Sequence, residues 1–125
     1  MSLRVLICDD TMFMRTVIAK MVKDGGHEVV GEAGSGEEAV ARYTELRPDV
    51  VTMDVVMPEL SGIEAVQRIV ADHPDARIVM CSAMGQEKLI EQAIQAGATG
   101  FVVKPFDSSK LLGALEDATG AGGGA

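Results

Sequence analysis

The chain has 125 residues, 47% of them apolar and 24% charged, with a formal net charge of −8. That length suits one compact domain with one core. The acidic balance argues against nonspecific binding to nucleic acid or to an anionic membrane, and no apolar run approaches the roughly 20 residues that span a bilayer.

Short apolar runs alternate with segments of helical period. The first run, residues 3–8, meets Asp9 and Asp10 before any signal-like segment develops. A stripe of Met14, Val17, Ile18, Met21 and Val22 follows, and Gly25-Gly26 closes that helix. The second run covers residues 28–32. Ser35, with Glu38 three residues on, predicts a capping box for a helix striped by Val40, Tyr43 and Leu46. The third run, residues 50–53, ends at Asp54. Ser61 and Glu64 repeat the capping arrangement before Ile63, Val66, Ile69 and Val70. The fourth run, residues 77–82, closes on Ser82. Its helix carries Leu89, Ile90, Ala93 and Ile94 and ends at Gly97. The fifth run, residues 99–103, precedes Lys104, and Leu111, Leu112 and Leu115 mark the last helix. Pro48, Pro58, Pro74 and Pro105 all fall between these helices.

Five such units predict an α/β protein, a flavodoxin-like (βα)5 fold with a doubly wound, five-stranded parallel sheet in the order 2-1-3-4-5. Residues 1–118 are expected to form the domain. Residues 119–125, mostly Gly and Ala, read as a flexible tail. Cys8 and Cys81 lie in apolar runs and fit neither a disulfide framework nor a zinc pattern. They read as small buried hydrophobes in a reducing, cytoplasmic setting. His27 and His73 fall at loop positions without ligand spacing and read as surface residues. Met12, Met14 and Met57 read as packing material near the strand ends.

Ligands of open α/β sheets bind beyond the carboxyl ends of the strands. Asp9 and Asp10 end the first run and Asp54 the third, and these two strands are neighbours in the predicted order. Three converging carboxylates repel one another and call for a proton or a cation. Oxygen-only donors suit a hard divalent ion such as Mg²⁺. Ser82 adds a hydroxyl at the end of the fourth strand, and Lys104 adds an ammonium after the fifth. A cation site, a carboxylate nucleophile, a hydroxyl donor and a fixed positive charge together suit phosphoryl transfer.

The motifs Cys8-Asp9-Asp10, Met53-Asp54-Val55-Val56-Met57-Pro58, Cys81-Ser82-Ala83 and Val103-Lys104-Pro105-Phe106 resemble the receiver domains of two-component response regulators. The resemblance runs from Leu3 to about residue 118. Asp10-Thr11-Met12-Phe13-Met14-Arg15 and Cys81-Ser82-Ala83-Met84-Gly85-Gln86 are similar, more narrowly, to stand-alone chemotaxis regulators of archaea and some thermophilic bacteria. The resemblance implies that Asp54 is the phosphoacceptor. It implies that Asp10 binds Mg²⁺ directly, Asp9 largely through water, and Val56 through its backbone carbonyl. It makes Ser82 the switch hydroxyl, Ala83 and Lys104 phosphoryl-binding residues, and the Lys104–Pro105 bond cis. Phe101 takes the aromatic switch position, where several relatives carry Tyr. Val56 and Met84 occupy the positions that tune phosphoryl lifetime. The implied partner face includes Gln86, Lys88, Glu91, Gln92, Phe101 and Lys110.

The implied function is a single-domain response regulator, phosphorylated by a sensor histidine kinase of the chemotaxis type. It would act on the motility motor or a motor adaptor and be open to a phosphatase. No enzymatic turnover is implied beyond self-phosphorylation and self-dephosphorylation. A phosphorelay or non-motility regulator is an alternative on the same fold. A metal-dependent phosphohydrolase with an Asp nucleophile is an alternative of another class. It would want a second acid at position 56, where Val stands. Flavin phosphate binding is disfavoured by the charges of Asp9 and Asp10.

Overall fold

A computed structural model describes residues 2–120. In chain order it contains β1 (Arg4–Cys8), α1 (Met12–Asp24), β2 (Glu28–Ala33), α2 (Gly36–Leu46), β3 (Val50–Asp54), α3 (Gly62–Asp72), β4 (Ile78–Ser82), α4 (Glu87–Ala96), β5 (Gly100–Val103) and α5 (Ser108–Thr119). All strand pairs are parallel, and the sheet order is β2-β1-β3-β4-β5. This is the predicted flavodoxin-like fold. Between β2 and β3 the chain crosses to the far side of β1, which puts β1 and β3 side by side with Cys8 opposite Met53.

The three central strands are buried on both faces and read as continuous apolar runs for that reason. One face packs Ile18 and Val22 of α1 and Leu111 and Leu115 of α5 against Val5, Ile7, Val50, Val79 and Cys81. The other packs Ala39 and Tyr43 of α2, Val66 and Ile69 of α3 and Ala93 of α4 against Leu6, Val51, Met53, Ile78 and Met80. Fully burying a side chain of this size stabilises by about 1.5–3 kcal/mol, so these two layers set the geometry of everything above them.

Helix starts follow their caps. The Ser35 hydroxyl accepts from the Glu38 N–H, and the Ser61 hydroxyl from the Glu64 N–H. The return bonds differ from a standard capping box. Glu38 Oε1 accepts from the N–H of Gly34, and Glu64 Oε1 accepts from the Ser61 hydroxyl itself. Thr11 and Asp107 cap α1 and α5, a role the sequence reading did not give them.

Several expectations need correction. α5 runs through Thr119, the first residue of the expected tail, and Gly120 caps it in the left-handed region. Residues 121–125 of that tail lie outside the described residues. His27 is buried, because its Nδ1 accepts the N–H of Leu3 at 3.0 Å. His73 is half-buried, against the ring of Tyr43 and 2.6 Å from an Arg47 nitrogen. Met57 is buried and Met14 packs on the core, but Met12 is exposed and packs little. Cys8 and Cys81 are free and buried as expected. Burial pushes both thiols up, Cys81 to about 12, so neither is a thiolate nucleophile at neutral pH.

Gly62 shows how tightly the loop after β3 is folded back. Its N–H donates to the Val55 carbonyl at 2.9 Å, and a Cβ at this position would overlap the carbonyl oxygen of Asp54. Backbone cannot move aside as a flexible side chain can. Gly62→Ala is therefore expected to destabilise the protein by about 2–3 kcal/mol, read as a lowered urea midpoint at unchanged slope.

Candidate functional site: an acidic crevice at the carboxyl edge of the sheet

Asp9 follows β1, and its N–H donates to the Ala33 carbonyl of β2 at 3.0 Å. Its carboxylate is held on both oxygens. Oδ1 accepts from the N–H and the hydroxyl of Thr11, at 2.9 and 3.1 Å. Oδ2 accepts from Lys104 Nζ at 3.3 Å. Asp54 is the last residue of β3 and takes a backbone hydrogen bond from Val56. Its Oδ2 lies 3.5 Å from the same Lys104 nitrogen. Asp10 is exposed, and among the described residues its carboxylate has no hydrogen bond or ion pair. Carboxylate oxygens from the three aspartates lie within 4.8 Å of one another.

Lys104 reaches the crevice from the end of β5. Its backbone N–H donates to the Ser82 carbonyl at 2.7 Å, and its bond to Pro105 is cis. Burial pulls its ammonium down, but the carboxylates of Asp54 and Asp9 outweigh that and leave it raised. It stays a cation at any neutral pH. For Asp54, burial is the largest influence and raises the carboxyl from 3.8 to about 6. Lys104 opposes that rise, Asp9 and Asp10 add to it, and the Val56 bond opposes it.

One ammonium against three carboxylates leaves two negative charges uncompensated. A divalent cation would cancel that deficit, and an all-oxygen donor set on an open crevice fits Mg²⁺ with retained waters. The residues present therefore fit the metal the sequence reading called for.

Ser82 ends β4 fully buried, and among the described residues its hydroxyl has no hydrogen-bond partner. Thr52 is the other side-chain oxygen so placed among the described residues, but it lies in mid-strand, two residues before Asp54. The N–H of Ala83 is already engaged, donating to Gln86 Oε1 at 2.7 Å. The side chains of Val56 and Met84 are exposed.

Phe101 turns its ring outward, with 48% of its surface exposed. With Met84, Gln86, Ile90, Glu91, Ile94 and Val103 it lines an apolar groove of about 730 Å³ between α4 and β5. Of the implied partner face, Gln86, Glu91 and Phe101 share this groove. Lys88, Gln92 and Lys110 are exposed but lie outside its lining. A second apolar groove of about 500 Å³, lined by Phe13, Met14, Val17, Met21 and Phe106, runs from Lys104 along α1.

The sequence reading missed the side chains that hold the site residues in place. Thr11 was legible as a cap, standing just before an amphipathic run. The Gln86–Ala83 bond and the contacts of Arg15 join residues without any local pattern that announces them.

A doubly wound sheet whose carboxyl edge gathers acids and one lysine is the arrangement expected of a receiver domain. Residues 5–116 match the response regulator receiver domain, and the chain belongs to that family. It is 53% identical over 116 residues to the chemotaxis protein CheY of Listeria monocytogenes, covering 93% of this chain and 98% of the relative. It is 50% identical over 115 residues to CheY of Thermotoga maritima, covering 92% and 96%. Among solved structures it overlays the CheX–CheY–BeF3–Mg²⁺ complex of Borrelia burgdorferi with a TM-score of 0.86 and 35% identity, over 90% of this chain and 86% of that one. Among the described residues no helix is long and apolar enough to cross a membrane.

The burial of Asp54 has a consequence for stability. At low pH, below 3.8, the folded and unfolded states both hold the proton. Above about 6 both have lost it, and the folded state carries the cost of a buried charge. The stability of the metal-free protein therefore falls as pH rises between those values. Asp54→Asn is expected to stabilise the metal-free protein at neutral pH by about 1 kcal/mol, after discounting for solvent at the crevice mouth. At pH near 3 the gain should vanish. Urea titrations in EDTA at the two pH values check both halves.

Proposed function

We propose that this chain is a phosphorylation switch of the CheY type, in which Asp54 accepts the phosphoryl group. The observation that carries this reading is the setting of the Asp54 carboxylate. It stands between two further carboxylates, with the Lys104 ammonium 3.5 Å away. Asp9, Asp10, Asp54 and the Val56 carbonyl would hold Mg²⁺, Asp9 largely through water. The metal, when bound, would neutralise charge on the phosphoryl oxygens. The relation to the B. burgdorferi complex, which contains Mg²⁺, supports that assignment.

The chain's own residues supply the rest. An Asp54 oxygen attacks phosphorus in line, and the P–N bond to a donor phosphohistidine breaks. The imidazole leaves with the bonding electron pair, and Asp54 becomes an acyl phosphate. Lys104 offsets one phosphoryl charge. Ser82 gains the partner its buried hydroxyl otherwise lacks. Ala83 offers its N–H once Gln86 releases it. These bonds exist only with the phosphoryl group in place, so they bias a two-state equilibrium. The displaced loop leads directly into the groove of Met84, Ile90 and Phe101, which serves as the partner face. Phe101 has no hydroxyl, so its contribution there is apolar area.

A sensor histidine kinase is the donor. The relatives named chemotaxis protein CheY support a chemotaxis pathway, with the motor or its adaptor as target and a phosphatase to reset the switch. The chain does not act as an enzyme on a separate substrate. Val56 stands where a hydrolase of this chemistry would need its second acid.

Incubation with acetyl phosphate, followed by intact mass, tests the reading. Wild-type protein should gain one phosphoryl group in Mg²⁺ and none in EDTA, and Asp54→Asn should gain none. Sustained release of phosphate from a phosphoester would overturn it in favour of a hydrolase. The exposed, apolar Val56 cannot orient an attacking water. Val56→Asn is accordingly expected to speed loss of the phosphoryl group several-fold, followed as decay of the mass shift after donor removal. An unchanged or slower decay would count against that role for residue 56.

A further inference from the structure

Asp9 and Asp10 are adjacent in sequence but anchored differently. The Asp9 carboxylate is gripped by Thr11 and Lys104. Among the described residues nothing grips the Asp10 carboxylate in this way, so its direction follows from its backbone and its own side-chain torsions. That backbone is held from α1. Arg15 Nη1 donates to the Asp9 carbonyl at 2.6 Å, within the peptide unit that joins Asp9 to Asp10. The other edge of the guanidinium is tied down as well, with Nε donating to Glu32 Oε1 at 3.0 Å. The Arg15 side chain is 17% exposed, against 45% for Glu32, so the bond to Asp9 lies on the sheltered side. The loop after β2 passes close to it. A Cβ on Gly34 would approach Arg15 Nη1 to 3.3 Å, closer than most side-chain contacts.

We infer that Arg15 is the positioning residue for Asp10, holding the Asp9–Asp10 peptide so that the Asp10 carboxylate faces the metal site. The inference rests on the magnesium reading above and adds to it the group that builds the site. The N–H of Asp9 is bonded to Ala33 and its carbonyl to Arg15, so the backbone at Asp9 is held from β2 on one side and α1 on the other. Asp9 ψ and Asp10 φ then have little freedom. Loss of the guanidinium leaves the turn bond from the Thr11 N–H to Asp9 Oδ1 as the remaining restraint across Asp10, and the Asp9–Asp10 peptide gains freedom to tilt the Asp10 carboxylate toward solvent.

Electrostatics and positioning predict opposite signs. A cation near an anionic metal site repels Mg²⁺, so removing its charge should tighten binding if charge alone mattered. Removing a group that orients a ligand should weaken it, typically by about 10-fold to 100-fold. The direction of the change therefore separates the two.

Mg²⁺ affinity is measured by isothermal titration calorimetry on wild-type protein, Arg15→Gln, Arg15→Lys and Glu32→Gln. Acetyl phosphate uptake is followed by mass across a Mg²⁺ series on the same proteins. Arg15→Gln is expected to raise the Mg²⁺ dissociation constant about 10-fold. Its uptake rate at saturating Mg²⁺ should stay within about twofold of wild type, since Asp54, Lys104 and Ser82 are untouched. Arg15→Lys, which keeps one donor for the Asp9 carbonyl, should fall between them. Glu32→Gln, which leaves that bond in place, should stay close to wild type. A merely structural role would lower the saturated rate and the melting temperature in EDTA without moving the Mg²⁺ half-saturation point. If Arg15→Gln fails to fold, Arg15→Lys decides by the same shift. Unchanged or tighter Mg²⁺ binding in the Arg15 variants, with normal binding by wild type, overturns the role of Arg15 alone. No Mg²⁺ binding by wild type overturns the magnesium reading and this inference with it.

Discussion

Everything at the functional end of this molecule follows from like charges brought closer than they would choose. Two carboxylates within 4.8 Å repel by roughly 3–4 kcal/mol at an effective dielectric of 20. The protein tolerates three of them because its core is elsewhere. The apolar layers on both faces of the sheet hold β1 and β3 side by side, and the acids sit at the ends of those strands because the strands end there. Core burial thus supplies the stability that the crevice costs. Lys104 offsets part of the repulsion, reaching both Asp9 and Asp54 from a third strand. The imbalance that survives its charge is what gives the site an appetite for a divalent cation.

The four charged groups divide the work according to how firmly each is held. Asp9 is buried and bonded on both oxygens. A carboxylate so committed is a poor direct metal ligand and a good organiser of the lysine and of bound water. Asp10 is exposed and, among the described residues, unbonded, which suits the ligand role proposed for it. Asp54 lies between these extremes, sheltered enough for its carboxyl to rise to about 6 yet open at the crevice mouth. The nucleophile role proposed for it suits that intermediate state, because full burial would favour the protonated form and full exposure would leave it solvated. The sequence Asp9-Asp10 shows two identical side chains. Only the surroundings make them different.

The architecture was legible because each of its signals is local. Short Val- and Ile-rich runs, Ser35 and Ser61 as caps, and Gly25 and Gly97 as stops all act over a few residues, and together they dictate alternation. The sheet order then places Asp9, Asp10, Asp54 and Lys104 at one edge without further information. What stayed hidden was of longer range or of mixed sign. His27 looks like a loop residue until Leu3 arrives from 24 positions away to use its Nδ1. Arg15 looks like a polar residue on an amphipathic helix until its partners at residues 9 and 32 are seen. Met12 was misread in the other direction, since it opens α1 on the side turned to solvent, whereas Met14 in the same turn packs on the core. The end of α5 was misplaced because Thr and Gly are weak helix formers, yet Leu115 anchors the last turn and its carbonyl accepts the Thr119 hydroxyl.

The route from the crevice to the surface is short, and its first step is a competition for one N–H. Ala83 donates to Gln86 at 2.7 Å, a bond that closes the loop between β4 and α4 upon itself. The same N–H lies next to the unpartnered hydroxyl of Ser82. A ligand that satisfies both would remove the closing bond and provide a buried oxygen with its missing partner in one event. The hydrogen bond it breaks is exposed and contributes about 1 kcal/mol net, whereas the bonds it makes involve a charged acceptor and contribute about twice as much. That difference is small enough for the resting state to persist and large enough to shift the balance once a phosphoryl group is present. Gln86 is also the residue before α4, which starts there without a side-chain cap. Gln86 itself lines the Phe101 groove, so its release would alter one wall of that groove. On the proposed function the switch would need no long pathway, because Ser82 and Ala83 at the crevice and Gln86 at the groove lie within four residues of one another.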